Sequence, residues 1–255
     1  MRGVSVGNGA RFAARPVASG GTSTTAWLGW RPELPELDLD ECPGLVLVAP
    51  HPDDETLGFG AAASTLQARG IDVQVVSVSD GGGAYPGLSP LERTRLERDR
   101  RAEIRRATKL LGLNEPIHLG LPDGDLEAHE EALTTFLADL LDADPNAPWC
   151  AATWSGDGHP DHEAVGRAAV HAAHRVGTRV LEYPVWMWHW AEPGDVDVPW
   201  HRMAAVPLDR AALARKQHAA KVFATQLKPH EPDVEPVLPA FVVQRLMAMG
   251  EVVFR

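Results

Sequence analysis

Apolar positions in this chain fall into short unbroken runs, separated by longer amphipathic or small-residue stretches. Leu45–Ala49 is a continuous apolar run between Gly44 and Pro50, the pattern of a central parallel strand buried on both faces. Thr56–Arg69 reads as a helix rich in small residues (Gly58, Gly60, Ala61, Ala62, Ala63), able to lie close on a sheet and stopped by Gly70. Asp72–Ser79, with Val73, Val75, Val76 and Val78, is a second strand, and the glycine-rich Asp80–Leu88 is a loop. Ser89-Pro90-Leu91-Glu92 is a capping box with proline at the first helical position. It opens a charged helix that runs to about Leu111, with Gly112 as its stop. A strand at Ile117–Leu119, a loop at Leu121–Asp125 and an amphipathic helix at Glu127–Asp142 follow. Trp149–Trp154 is a strand, His162–Arg175 a helix and Thr178–Tyr183 a strand. Beyond Pro184 the pattern weakens to a strand at Arg202–Leu208 and a helix at Asp209–Ala224 capped by Asp209.

Strands alternating with helices predict an α/β fold, a mostly parallel sheet with helices on both faces. A chain of 255 residues buries enough surface for one such domain, expected over residues 45–255 behind an N-terminal arm at 1–44. Within that arm, Met1–Pro32 carries Arg2, Arg11, Arg15 and Arg31 and no acidic residue. It superficially resembles a transit peptide but lacks an apolar h-region, and its Gly, Ser and Thr content predicts a loose arm. The net charge of −11 argues against nucleic acid as a partner, because it leaves no surplus to neutralise phosphates. No apolar run reaches membrane-spanning length. Cys42 and Cys150 are far apart with no CxxC pattern, as reduced thiols of a cytoplasmic protein would be. No oligomeric state follows from the pattern.

Two segments carry candidate chemistry. Ala49-Pro50-His51-Pro52-Asp53-Asp54-Glu55 follows the first strand and opens a helix, at the strand carboxyl end where doubly wound sheets collect ligands. Pro52 fits the first helical turn and holds His51 outside it. His51 and Asp54, three residues apart, can then aim at one point, with Asp53 aimed elsewhere. Gly156-Asp157-Gly158-His159-Pro160-Asp161-His162-Glu163 repeats the arrangement after another strand. His162 could complete a His, Asp, His metal set, and three protein ligands with an open position mark a catalytic zinc site. A single His-Pro-Asp is explained as readily by helix capping; two copies at matching junctions favour a site.

With these residues the chain resembles the PIG-L or LmbE-like N-acetylglucosaminyl deacetylases. The resemblance covers roughly Val46 to Tyr183 and rests on the AHPDDE-type motif, here with Pro50 between Ala49 and His51, and on the HPDH motif, His159–His162. It implies a Rossmann-like fold, a zinc ion held by His51, Asp54 and His162, and a small sugar or glycoconjugate as substrate. It implies further that Asp53 is the general base and that His159 stabilises the oxyanion or assists the leaving amine. Arg100 and Glu103, an RxxE pair before Leu111-Gly112, are similar to the family's substrate-arginine region, against the alternative of a solvated helix face. Asp123 looks like the family's sugar-contacting aspartate, although Asp-Gly is also a routine turn. Two histidines and one carboxylate also suit Fe(II).

Asp80, at the end of the second strand, could support a metal ligand or cap the loop that follows. In Trp186-Met187-Trp188-His189-Trp190 an extended backbone would put three tryptophans on one side, facing a sugar ring or packed in the core, with His189 as a further candidate contact. The resemblance therefore implies removal of an N-acetyl group from an amino sugar or glycoconjugate. The alternatives are cleavage of another sugar-linked amide such as a thiol conjugate, a two-metal phosphoesterase, and a metal-stabilised binding module without catalysis.

Overall fold

The computed structural model describes residues 7–30, 32–230 and 235–255. Two short helices, α1 (Asn8–Ala13) and α2 (Thr24–Trp30), precede β1 (Leu45–Ala49). Helices and strands then alternate as α3 (Asp54–Ala68), β2 (Val73–Ser79), α4 (Pro90–Leu111), β3 (Ile117–Leu121), α5 (Glu130–Ala143), β4 (Trp149–Thr153), α6 (Pro160–Val176) and β5 (Val180–Tyr183). The remainder comprises α7 (Met187–Trp190), β6 (Met203–Ala205), α8 (Arg210–Ala219), α9 (Ala224–Leu227), α10 (Ala240–Met249) and β7 (Val252–Phe254).

The strands form one sheet in the order β3-β2-β1-β4-β5-β7-β6. From β3 to β5 all neighbours are parallel, and β7 runs antiparallel to both β5 and β6. This is the expected α/β architecture. Successive residues of β1 serve opposite faces: Leu45 and Leu47 pack toward α3 and α4, Val46 and Val48 toward α5 and α6. That is why the run is apolar throughout and does not alternate. The winding reverses between β1 and β4, and a crevice opens at the carboxyl ends of two strands that diverge in this way.

Local chemistry fixes the helices that bound this crevice. The Ser89 hydroxyl accepts the Glu92 N–H while the Glu92 carboxylate accepts the Ser89 N–H, the reciprocal capping box expected at the start of α4. Gly58 lets α3 lie against β5: a Cβ there would stand 2.2 Å from the Tyr183 ring. The Tyr183 hydroxyl continues inward to the carbonyl of Val48 at 2.7 Å.

The arm and the tail depart from expectation. Residues 7–30, expected as part of a loose arm over Met1–Pro32, are folded onto the body, and so is the stretch from 32 to 44 that leads into β1. Trp27 is fully buried and donates its indole N–H to the carbonyl of Trp188 at 2.8 Å, and Leu37 N–H reaches the carbonyl of Ala205 at 2.8 Å. Arg2 and Arg31 lie outside the described residues. The strand expected over Arg202–Leu208 is confined to Met203–Ala205, since Pro207 has no N–H for a ladder. The helix expected over Asp209–Ala224 starts with the Asp209 cap at 2.6 Å but ends at Ala219. Neither α10 nor β7 was anticipated; β7 is three residues long, too short for any periodicity to register.

Candidate active site

Both His-Pro-Asp segments meet in the crevice between β1 and β4. After β1, Pro52 lies before the helix and not in its first turn, because Asp53 adopts φ 142°, ψ −31° and α3 begins only at Asp54. A non-glycine residue in that region costs about 1–3 kcal/mol unless its surroundings hold it there. Here Asp53 N–H donates to Glu55 Oε2 at 3.0 Å, its carbonyl accepts from Leu57 N–H at 2.8 Å, and Arg100 donates to the carbonyl of Pro52 at 3.0 Å. The strained turn lets consecutive aspartates face one cavity while only Asp54 joins the histidines.

His51, Asp54 and His162 present one ligand atom each within 4.8 Å of one another. Asp54 Oδ2 lies 3.3 Å from His51 Nδ1 and 3.3 Å from His162 Nε2. Each imidazole is oriented by a carboxylate on its other nitrogen. His162 Nδ1 is 2.9 Å from Asp157 Oδ2; His51 Nε2 is 3.1 Å from Asp123 Oδ1 and 3.2 Å from Asp161 Oδ2. With hydrogens on those outer nitrogens, both inner nitrogens present lone pairs to Asp54, and His162 Nε2 is buried with no hydrogen-bond partner. Two imidazole lone pairs and a carboxylate oxygen, backed by outer carboxylates, suit a divalent transition metal. His51, His159 and Asp161 form a second group of ligand-like spacing. Its donors are already engaged: Asp161 accepts the N–H of Gly124 at 2.7 Å and of Leu126 at 3.2 Å, and His159 Nδ1 accepts the Asp161 N–H at 3.3 Å.

The electrostatics match this division. Burial would raise the Asp54 carboxyl, but His162 and His51 outweigh it and hold it well below the usual carboxylate range. Burial works against charge on His162 too, yet Asp54 and Asp157 bring its pKa up to about 9, so without a metal Nε2 holds a second proton that a bound cation would displace. His159 goes the other way. Burial, then the neighbouring His162 and His51, push it down to about 3, so its imidazole is neutral at physiological pH. As the N-cap of α6 it both caps the helix and faces the cavity. The capping and site readings of this motif are therefore compatible.

His51, Asp53, Asp54, Arg100, Asp123, His159 and His162 all line one cavity of about 200 Å³. Arg100 does not sit on a solvated face. It is 3% exposed, donates to the carbonyls of Gly81 (2.9 Å) and Pro52, and lies 3.4 Å from Asp53 Oδ2. Gly81, at φ 68°, admits this approach, for a Cβ there would stand 1.8 Å from the guanidinium. Glu103 instead accepts from Thr225, through its N–H at 2.9 Å and its hydroxyl at 2.6 Å.

Asp80 supports no ligand of the triad; it pairs with Arg101 and lies 3.5 Å from His118. Nor is Trp186–Trp190 extended. Met187–Trp190 is one helical turn, and its tryptophans diverge. Trp186 lines the cavity, Trp188 packs edge-on against Trp27 at 5.0 Å, and Trp190 donates to the carbonyl of Asp157 at 2.6 Å. His189 bonds the carbonyl of Arg15 at 2.9 Å, away from the cavity lining.

Sequence reasoning missed Asp157 and Asp161. Besides His162, Asp157 accepts the N–H groups of Val185, Trp186 and Met187, each at 2.9 Å. The available signal was an acidic residue between Gly156 and Gly158 directly after a strand.

Known proteins share this framework. The uncharacterized deacetylase YaiS of Escherichia coli K12 is 29% identical over 146 residues, covering 55% of this chain and 72% of its own. The 1D-myo-inositol 2-acetamido-2-deoxy-alpha-D-glucopyranoside deacetylase of Mycolicibacterium gilvum is 28% identical over 189 residues. The match covers 61% of each chain, so the present chain spans about three fifths of that relative's length. The N,N'-diacetylchitobiose deacetylase of Pyrococcus horikoshii has the same fold, with a TM-score of 0.57 at 20% identity, over 74% of this chain and 73% of that one. The family model for PIG-L, GlcNAc-PI de-N-acetylase, matches residues 46–173. That segment runs from β1 into α6 and holds both His-Pro-Asp motifs, and the chain belongs to the PIG-L family.

Proposed function

We propose that this protein is a zinc-dependent N-deacetylase that hydrolyses the acetamide of an N-acetylated amino sugar or glycoconjugate. The observation that carries this reading is the flanking of one metal-competent triad by a carboxylate from the first motif and a neutral imidazole from the second. His51, Asp54 and His162 would hold the ion. Once bound, a zinc ion lowers the pKa of a water and polarises a carbonyl; Fe(II) would serve the same donor set.

The remaining steps fall to side chains of the chain. Asp53 takes a proton from the attacking water. Burial and the neighbouring Asp54 push the Asp53 carboxyl well above its usual value; Arg100, with both terminal nitrogens held by carbonyls and Asp53 within 3.4 Å, keeps it in place and pulls the other way, as a bound cation would. His159 Nδ1 accepts a backbone N–H, so the hydrogen of the neutral ring is on Nε2, available to the developing oxyanion as an uncharged donor. When the C–N bond breaks, the proton held by Asp53 passes to the departing amine, leaving acetate and the free amino sugar. Asp123, on the cavity wall beside His51, would accept from a sugar hydroxyl.

Family membership and the relatives' printed activities support the deacetylase reading. No helix among the described residues is long and apolar enough to cross a membrane, which suits a small sugar substrate met in solution. Acetate and free amine released from N-acetylglucosaminides test it. Asp53→Asn is expected to lower kcat by about 10²–10⁴ while retaining one equivalent of metal. Full activity in that variant would refute the assignment of the base, and a metal-to-protein ratio near two would favour a phosphoesterase.

A further inference from the structure

A second groove, of about 550 Å³, adjoins the catalytic cavity, and Ala84 and Val237 line both. Its walls come from segments distant in sequence: Val17 of the arm, Tyr85 and Pro86 of the loop after β2, and Phe241 at the start of α10. The groove opens beside Asp123, the residue proposed above to meet a sugar hydroxyl. Gly83 N–H donates to Asp123 Oδ2 at 2.7 Å, and Ala84 is the next residue. None of the residues read above as metal ligands, base or oxyanion donor lines the groove.

The lining is poor in polar groups. The Tyr85 hydroxyl is occupied by the carbonyl of Thr225 at 2.8 Å, so the groove meets its ring. Among the described lining residues the one charged side chain is Glu235, which is exposed and acidic. The wall therefore offers a phosphate or carboxylate no cation and one repulsive charge, while an alkyl or aryl group would remove apolar surface from water.

We propose that this groove binds the anomeric substituent of the substrate, and that this substituent is apolar and uncharged. The substrate class is then an alkyl or aryl glycoside of an N-acetylated amino sugar. The inference rests on the deacetylase reading above, and it assigns the groove to the aglycone and not to a long acyl chain.

An alkyl series of N-acetylglucosaminides (methyl, butyl, octyl) tests it with the zinc-loaded full chain. kcat/KM should climb roughly fourfold for each methylene fully buried, until the groove is filled, with a matched series of N-acyl lengths on the methyl glycoside showing no such climb. In Phe241→Gln and in Val17→Asp the octyl-to-methyl ratio of kcat/KM should collapse toward one. Because each ratio is taken within one preparation, it does not depend on the fraction of enzyme folded. Deacetylation of all glycosides at equal kcat/KM would overturn the groove assignment and leave the deacetylase reading standing. A climb with acyl length instead would reassign the groove to the acyl chain and overturn the proposal. Acetate release from none of the glycosides would refute the deacetylase reading itself, and this inference with it.

Discussion

His159 and Asp157 show how a single residue in the second motif divides structure from chemistry. His159 is a helix cap that also lines the cavity; if it is the oxyanion donor proposed above, replacing it by alanine should lower kcat by about 10²–10³ with KM nearly unchanged. A fall confined to KM in steady-state assays would place His159 in substrate binding. Asp157 does not line the cavity, yet it fixes His162 from behind and gathers three backbone N–H groups. In Asp157→Asn the amide can no longer orient His162 as a carboxylate does, so metal affinity should weaken by about 10–100-fold, read by competition with a chromophoric chelator. Unchanged affinity would contradict the tautomer assigned to His162. The gathering of His51, Asp53, Asp54, His159 and His162 in one cavity was legible in the sequence because His51-Pro52-Asp53-Asp54 and His159-Pro160-Asp161-His162 are contiguous. Asp157 was not, because its partners lie about 30 residues away and are backbone atoms that carry no sequence signature.

Among the elements, the parallel half of the sheet was legible from β1 to β5, since β1, β2 and β4 are buried, largely apolar runs and the helices between them carry their own caps and stops. The arm was misjudged because what holds it is tertiary: Trp27 in the core, Asn8 donating to the carbonyl of Gly156 at 2.9 Å, and Arg11 paired with Asp195 and stacked over Trp190 at 4.5 Å. Phe12 of α1 packs 5.3 Å from Trp186 and 6.0 Å from His159, so the arm buttresses the site. Burial would raise the Asp195 carboxyl, but Arg11 and the N–H of Asp197 carry it below its usual value. A depressed carboxylate stabilises the fold above its unfolded pKa of about 3.9 and loses that contribution as the pH falls through the folded value. The pair is partly exposed, so it is worth at most about 1 kcal/mol. Asp195→Asn should therefore lower Tm at pH 7, and the difference from the parent should shrink as the pH falls below the usual carboxylate range. A constant difference across that range would show that the ion pair does not secure the arm.

For the molecule as a whole, the family framework covers residues 46–173, while the groove draws on Val17 and on residues 235–241 that lie outside it. The proline-rich stretch from Glu235 to Pro239 has no helical or strand period to read, which is why that part of the wall was illegible in advance. Metal and fold should also be coupled across the whole chain. At a free metal concentration of about 100 times Kd, binding adds about 2.7 kcal/mol of stability, so chelation should lower Tm by roughly 5–10 °C. An unchanged Tm would mean that the cluster of His51, Asp54 and His162 does not bind a metal. The most direct test of the central claim is acetate release from an N-acetylglucosaminide by metal-stripped protein titrated with zinc. Activity is predicted to be absent at the start, to rise linearly and to level off at one equivalent. Acetate release that is undiminished after the metal is stripped, or that stays absent at full zinc occupancy, would contradict it.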